Sequence, residues 1–314
     1  MLQTLKRGLM VGLMTTWTLG KVIFPVTLIV GILQHTPILQ YIINAIAPLM
    51  GIFGLSGEAA IPLVIGNFLN LYAGIGAILT LDLTVKEVFI LAMMLSFSHN
   101  LLVESTVAAK VGLKIWVILL IRLGLAFISG IVINLMWNGG QEIAQYGFVA
   151  QQEEAVVGFF PIILEAVQRG VMGILQLALI VIPLMAAVQF MKELGWLAVF
   201  SRWMSPFTRA MGMKENTSTT MAAGLLIGLA YGAGVMIQAV KEDNVSKKDI
   251  TLAFIFLVSC HAVIEDTLIF IPLGIPVWPL LVIRIITAIV LTITVAFIWK
   301  RIDVSKRKEA SYEH

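Results

Sequence analysis

Ser98-His99-Asn100-Leu101-Leu102-Val103-Glu104-Ser105-Thr106 and Ser259-Cys260-His261-Ala262-Val263-Ile264-Glu265-Asp266-Thr267 are two polar islands in apolar sequence, each with a histidine and a carboxylate. They occupy one place in a repeat. Around them, Lys86, Glu87, His99, Glu104, Gly112, Trp116 and Arg122 match Lys248, Asp249, His261, Asp266, Gly274, Trp278 and Arg284 at a constant shift of 162. Further upstream, Pro25, Pro48, Gly54, Gly66, Gly74 and Gly76 match Pro183, Pro206, Gly212, Gly224, Gly232 and Gly234 at a shift of 158, so the second copy carries four extra residues. Duplicated halves with ionisable groups at membrane depth are the form many secondary transporters take.

The composition puts the chain in a membrane. Apolar residues make up 59% of it, charged residues 12%, and the mean hydropathy is +0.98, more apolar sequence than one globular core requires. Stretches long enough to span, roughly 20 residues, lie near 8–34, 58–80, 114–137, 170–191, 217–240 and 277–299. Shorter or interrupted ones lie at 36–53, 87–113, 194–211 and 250–275. Lys6 and Arg7 before an apolar run resemble the start of a signal peptide, but the run has no small-residue cleavage site and reads as a retained helix. One cysteine, Cys260, rules out an internal disulfide. The net charge of +3 comes largely from Lys300, Arg301, Lys306, Arg307 and Lys308, a cluster that marks a cytoplasmic end and not a nucleic-acid partner.

Charge also orients the halves. Lys6, Arg7 and the terminal cluster place both termini in the cytoplasm, whereas residues 138–168 carry Glu142, Glu153, Glu154 and Glu165 without Lys or Arg. Each copy then crosses an odd number of times, which inverts one relative to the other. The stretch 35–57 has no Lys or Arg, while its match 192–215 has Lys192, Arg202, Arg209 and Lys214, as inversion requires. One loop disagrees: if 217–240 crosses, Lys241, Lys247 and Lys248 fall outside. The expected fold is an all-α, polytopic integral membrane protein of two inverted repeats. Each repeat has about three spans, an interfacial helix and a re-entrant hairpin, at 86–113 and 248–275, whose arms of some 12 residues are too short to cross alone. The rival reading makes 87–106 a full span. The boundaries are 1–140 for the first repeat, 141–160 for an acidic connection, 161–300 for the second repeat and 301–314 for a basic cytoplasmic tail.

Candidate ligands follow from the tips. Backbone that is not helical survives at membrane depth only where protein or water satisfies it, so two tips meeting there would bring free carbonyls, helix ends and side chains into one site. The candidates are His99, Asn100, Glu104, Ser105 and Thr106 in one copy and His261, Glu265, Asp266 and Thr267 in the other. Burying a carboxylate without a partner costs a few kcal/mol or more, and Arg122 and Arg284, two turns into their spans, are its natural partners. They act either as clamps on the hairpins or as contacts for an anionic substrate. Asn67 and Asn70 lie where the second copy has the small-residue stripe Gly224, Gly228 and Gly232, so they either bond across helices or read a ligand. Glu58 and Asn216 favour a helix N-terminus, with Lys21 as a further partner for Glu58. Lys110 and Lys114 suit a snorkelling role at the interface. His99, Cys260 and His261 are a weak candidate set for a transition metal. No phosphate loop, metalloprotease histidine pair or Cys-x-x-Cys occurs, so neither an enzyme nor a resident cofactor is expected.

The stretch Gly54-Leu55-Ser56-Gly57-Glu58-Ala59-Ala60-Ile61-Pro62-Leu63, followed by a Gly-Asn helix, resembles the nucleoside recognition or Gate domain of concentrative nucleoside transporters, ferrous iron transporter B membrane domains and spore maturation A and B proteins. The second copy, Gly212-Met213-Lys214-Glu215-Asn216-Thr217, lacks the second glycine. The resemblance implies two fused Gate domains in a multi-pass protein of a bacterial cell membrane. It does not select a ligand, and the GTPase sequence of the iron transporter is absent. The leading expectation is a permease for a small solute, nucleoside-like among other organic solutes, coupled to H+ or Na+, in a lipid bilayer, as one copy or a homo-oligomer. The alternatives are a divalent metal permease and a non-transporting scaffold for envelope or spore assembly. A scaffold gives no reason for matched polar groups at midmembrane depth.

Overall fold

The structure is a computed structural model that describes residues 2–33, 36–147 and 158–312, with backbone alone for 38–40, 42, 192, 231 and 303–312. Among the described residues each copy contains seven helices in matching order. The first has α1 (Leu2–Leu33), α2 (Pro37–Gly51), α3 (Ala60–Phe68), α4 (Leu71–Ile78), α5 (Val85–Ser98), α6 (Leu101–Lys110) and α7 (Ile115–Met136). The second has α8 (Phe159–Glu193), α9 (Trp196–Ala210), α10 (Ser218–Ile227), α11 (Leu229–Glu242), α12 (Lys247–Ser259), α13 (Glu265–Leu268) and α14 (Val277–Tyr312). The tail expected at 301–314 continues α14 as helix to Tyr312. The acidic connection lies partly outside the described residues, at 148–157 with Glu153 and Glu154. Its first part is anchored: Ala144 N–H donates to the Leu83 carbonyl and Val85 N–H to that of Glu142, both at 2.9 Å.

Among the described residues five segments are long and apolar enough to cross a membrane: Leu2–Leu33, Val85–Lys110, Ile115–Met136, Phe159–Met191 and Val277–Ile302. Their outward faces are apolar. Trp116, Leu120 and Ile128 on α7 and Trp278, Ile286 and Val290 on α14 are all more than half exposed, a surface that lipid covers and water would not. By contrast 58–80 and 217–240, expected as straight spans, are helical hairpins. A methyl group on Gly74 would stand 3.0 Å from the Gly66 Cα and 3.1 Å from the Pro62 carbonyl oxygen. In a straight helix, eight residues put about 12 Å between Gly66 and Gly74. The chain therefore reverses between them, at Leu69 and Asn70, where the Asn70 side chain accepts the Ala73 N–H at 2.9 Å and caps α4. The second copy reverses at the matching residue, Gly228, whose φ of 89° suits glycine. A Cβ on Gly232 would stand 3.2 Å from the Ala223 carbonyl oxygen.

The correction is one of order. Apolar length marked 58–80 as a span and the polar island marked 86–113 as the hairpin, yet the close glycine contacts make 60–78 the hairpin. The stretch 85–110 is a crossing length of helix broken at the island. Its second-copy counterpart, α12 to α13, breaks over 260–264 and is shorter. The first copy thus has three segments of crossing length and the second has two among the described residues, where about three were expected of each. Because α10 and α11 fold back, the loop after α11 returns to the face where α10 begins, and Asn216 Nδ2 donates to the Asp243 carbonyl at 2.7 Å. Lys241, Lys247 and Lys248 then share a side with Lys214, and the charge conflict disappears. That bond also gives Asn216 its role, in place of the cap expected there.

Inversion is visible in α1 and α8. Ideal Cβ positions on Gly8 and Gly12 fall 2.7 Å and 2.8 Å from the Cα atoms of Ala186 and Ile182. Gly20 meets Ile174 and Gly31 meets Ala166, one number rising as the other falls. These matched first helices run antiparallel along their whole length, with small residues allowing close approach. At one end Glu193 accepts from Thr4 Oγ1 at 2.7 Å and Arg7 Nη1 at 3.1 Å.

The chain forms two compact units: residues 1–102, 122–194 and 264–281 in one, and 103–121, 195–263 and 282–314 in the other. Neither unit is one repeat: residues 103–121 of the first copy belong to the second unit, and residues 264–281 of the second copy, with all of α8, belong to the first. In the second unit, Val107, Ala108 and Ile118 pack in a core with Met221, Phe254, Leu257 and Ala288. In the first unit, Gln176 Nε2 donates to the Pro272 carbonyl at 3.0 Å.

Candidate functional site

Both polar islands are helix breaks, and both are built alike. A capping box starts α5: Glu87 N–H donates to Thr84 Oγ1, while the Glu87 carboxylate accepts the Thr84 N–H. Ser246 and Asp249 start α12 with the same hydroxyl-to-backbone cap. Each helix then ends just before a histidine, α5 at Ser98 and α12 at Ser259, and the residue after the histidine has a positive φ, 51° at Asn100 and 42° at Ala262. The free N–H groups at each break are taken by the hairpin beside it. Asn100 N–H donates to the Gly66 carbonyl at 2.9 Å, and Ala262 N–H to the Gly224 carbonyl at 3.0 Å. Those carbonyls lie in the last turns of α3 and α10, and the Gly224 carbonyl also accepts the Gly228 N–H at 3.0 Å. Two interruptions thus satisfy each other where lipid offers no hydrogen bonds.

Arg122 and Arg284, each 0% exposed, hold the histidine carbonyls. Arg122 donates through Nε to the Phe97 carbonyl at 2.8 Å and through Nη2 to that of His99, and Arg284 Nη2 donates to the His261 carbonyl at 2.7 Å. A cation at a helix C-terminus also complements the helix dipole. These hydrogen bonds run to backbone carbonyls, where carboxylates were the expected partners.

Each imidazole is fixed through Nδ1, 2.7 Å from the Leu95 carbonyl for His99 and 2.8 Å from that of Leu257 for His261. A carbonyl only accepts, so Nδ1 carries a hydrogen, and Nε2 of the neutral ring is left as an acceptor. In the unit holding His99, Nε2 lies 4.0 Å from Asp266 Oδ2; in the other, His261 Nε2 lies 3.3 Å from Glu104 Oε2. All four side chains are buried. The carboxylates are exchanged between repeats: sequence places His99 beside Glu104 and His261 beside Asp266, but the traded segments pair each histidine with the other copy's carboxylate.

The remaining candidates divide. In the first unit the Tyr72 hydroxyl donates to Glu265 Oε1, a partnership sequence reading missed. Its one signal was a phenol in an apolar hairpin, which needs an acceptor when buried. Asn67, 8% exposed, donates through Nδ2 to the Leu63 carbonyl at 2.6 Å, and its Oδ1 has no partner among the described residues. Asn70 stands at the hairpin tip, not on a packing face. Thr267 is buried in this unit, whereas Ser105 and Cys260 are buried in the other. Thr106 is exposed and bonds the Val103 carbonyl at 2.6 Å, which takes it away from the buried groups. Among the described residues no ion pair or hydrogen bond joins Lys21 to Glu58. Lys21 instead lines a groove with Trp17, Phe24 and Pro25. Burial first, then Asp82 and Glu87, push the Glu58 carboxyl above its ordinary range.

A duplicated, inverted helical membrane protein with paired breaks is thus defined by its own geometry. Residues 16–114 and 174–276 each match the Gate family, described as nucleoside recognition, and the chain belongs to that family. It is 66% identical over 294 residues, 94% of each chain, to the uncharacterized membrane protein YvoD of Bacillus subtilis (strain 168). No solved structure matches it.

Proposed function

We propose that this protein is a proton-coupled secondary carrier for a small polar solute of the nucleoside type, in the plasma membrane with both termini cytoplasmic. The observation that carries the reading is the reciprocal pair of histidine–carboxylate contacts at two helix breaks. With Nδ1 hydrogen-bonded to a carbonyl, Nε2 and the facing carboxylate, 3.3 Å apart at His261–Glu104 and 4.0 Å apart at His99–Asp266, are the groups that would take up the coupled proton. A buried site that changes charge by one proton is what coupling requires. The segments that must shift to open such a site are short helices ending in breaks, built from both repeats, so movement in one repeat alters the protonation site of the other. The Asn67 oxygen, together with Tyr72 and Glu265, offers donors and acceptors suited to hydroxyl and ring-nitrogen groups. The family description supports the nucleoside class, and the basic residues Lys6, Arg7, Lys300 and Arg301 beside the terminal apolar helices support the orientation.

The first test is binding. Purified protein in detergent should be stabilised against heat by nucleosides at millimolar concentration and not by the free sugar, with Asn67→Ala weakening the effect about tenfold, the worth of one hydrogen bond to a buried group. A folded wild type that no nucleoside stabilises at any pH from 5 to 8 would contradict the solute class.

A further inference from the structure

The helix α9 is unlike its partner in the first copy. Trp196, Val199, Trp203 and Phe207, spaced three or four residues apart, form one exposed stripe, with Trp203 72% and Phe207 64% exposed. Arg202 and Arg209, also exposed, flank that stripe. An aromatic stripe bordered by arginine holds a helix at the depth of lipid headgroups. Beyond its C-terminal end lies a cavity of about 550 Å3, open to the surface and lined by Arg209, Lys214, Ser246, Lys248, Glu215 and Asp249. Its acids are engaged: Asp249 accepts from Ser246 Oγ at 2.7 Å, and Glu215 lies 3.9 Å from Arg209. Among the described residues no carboxylate is within ion-pair distance of Lys214 or Lys248.

The first copy does not build this cavity. Gly51 and Ser56 stand where Arg209 and Lys214 would be, and Lys86, the match of Lys248, is buried with its Nζ donating to the Asn134 carbonyl at 3.1 Å. Among the described residues, then, the second copy gathers ammonium groups without a carboxylate partner in an open recess at positions where the first copy has Gly51, Ser56 and a buried Lys86. We propose that this recess binds the headgroup of an anionic glycerophospholipid, with Lys214 and Lys248 on the phosphate and the α9 aromatic stripe along the acyl chains. The inference does not depend on what the protein carries.

The test uses full-length protein in detergent with dioctanoyl phosphatidylglycerol, dioctanoyl phosphatidylcholine or inorganic phosphate, read by native mass spectrometry and melting temperature. Phosphatidylglycerol should bind and stabilise, while the other two should do neither at the same concentration. The Arg209→Gln, Lys214→Gln, Lys248→Gln triple variant should bind about a hundredfold more weakly, since each basic group near a lipid surface contributes roughly fivefold. Lys241→Gln with Lys247→Gln, which removes charge from the same side but outside the cavity, should change little. If the triple variant does not fold, Lys214→Gln and Lys248→Gln are compared singly. Equal binding of phosphatidylcholine, stabilisation by phosphate alone, or undiminished phosphatidylglycerol binding in the single or triple variants would each overturn the proposal.

Discussion

His261 has one nitrogen committed to the Leu257 carbonyl and the other 3.3 Å from Glu104 Oε2, so a change to either partner alters what the other faces. A double-mutant cycle on His261→Ala and Glu104→Gln should give a coupling of at least ~1 kcal/mol in thermal stability, the range for residues in contact. His99 should couple to Asp266 in the same way. The cycles that follow sequence proximity, His99 with Glu104 and His261 with Asp266, should show less coupling. Glu58 gives a pH prediction. A carboxyl whose folded pKa lies above its unfolded value favours folding in acid, and that contribution is lost as pH rises past the unfolded pKa. Glu58→Gln should therefore raise the melting temperature at pH 7, with the gain vanishing near pH 4. At this scale sequence picked out the ionisable residues that the fold buries at its helix breaks, because a histidine or carboxylate in an apolar run is conspicuous. Their pairing was hidden, since it is set by segments exchanged between units far apart in the chain. Tyr72 was hidden for the opposite reason, as a tyrosine in such a run is unremarkable until its hydroxyl is buried.

The hairpins α3–α4 and α10–α11 show how helix breaks escape a reading based on apolar length. Nothing in 58–80 is charged apart from Glu58, so hydropathy sees one span. The reversal depends on Gly66 and Gly74 touching and on Asn70 capping the second arm. Gly74→Val should destabilise the protein by about 1–3 kcal/mol through overpacking, and Asn70→Ala by ~1 kcal/mol through loss of the cap, both read by thermal unfolding in detergent. The reversal also fixes sidedness. With Cys260 removed, single cysteines at Lys214 and Asn244 should react with an impermeant thiol reagent from the same side of the membrane, and one at Ser56 from the opposite side. Labelling of Lys214 and Asn244 from opposite sides would restore 217–240 as a crossing helix. The polar islands were legible as breaks, because short arms and polar tips are local signals. Whether such a break crosses or turns back is decided by what packs on it, and hydropathy does not carry that information.

For the whole molecule, two Gate repeats are joined by an antiparallel α1–α8 pair, and each completes its histidine site with a carboxylate from the other. A duplicated protein whose halves trade segments in this way has no independent half. Transport by such a molecule requires both protonation sites to answer to one gradient. The most direct measurement is uptake of a labelled nucleoside into proteoliposomes under an imposed pH gradient. The account predicts accumulation above the external concentration that a protonophore abolishes and that Glu104→Gln uncouples while the variant remains folded. Folded wild-type protein that shows no gradient-driven uptake, or uptake indifferent to the protonophore and to Glu104→Gln, would contradict it.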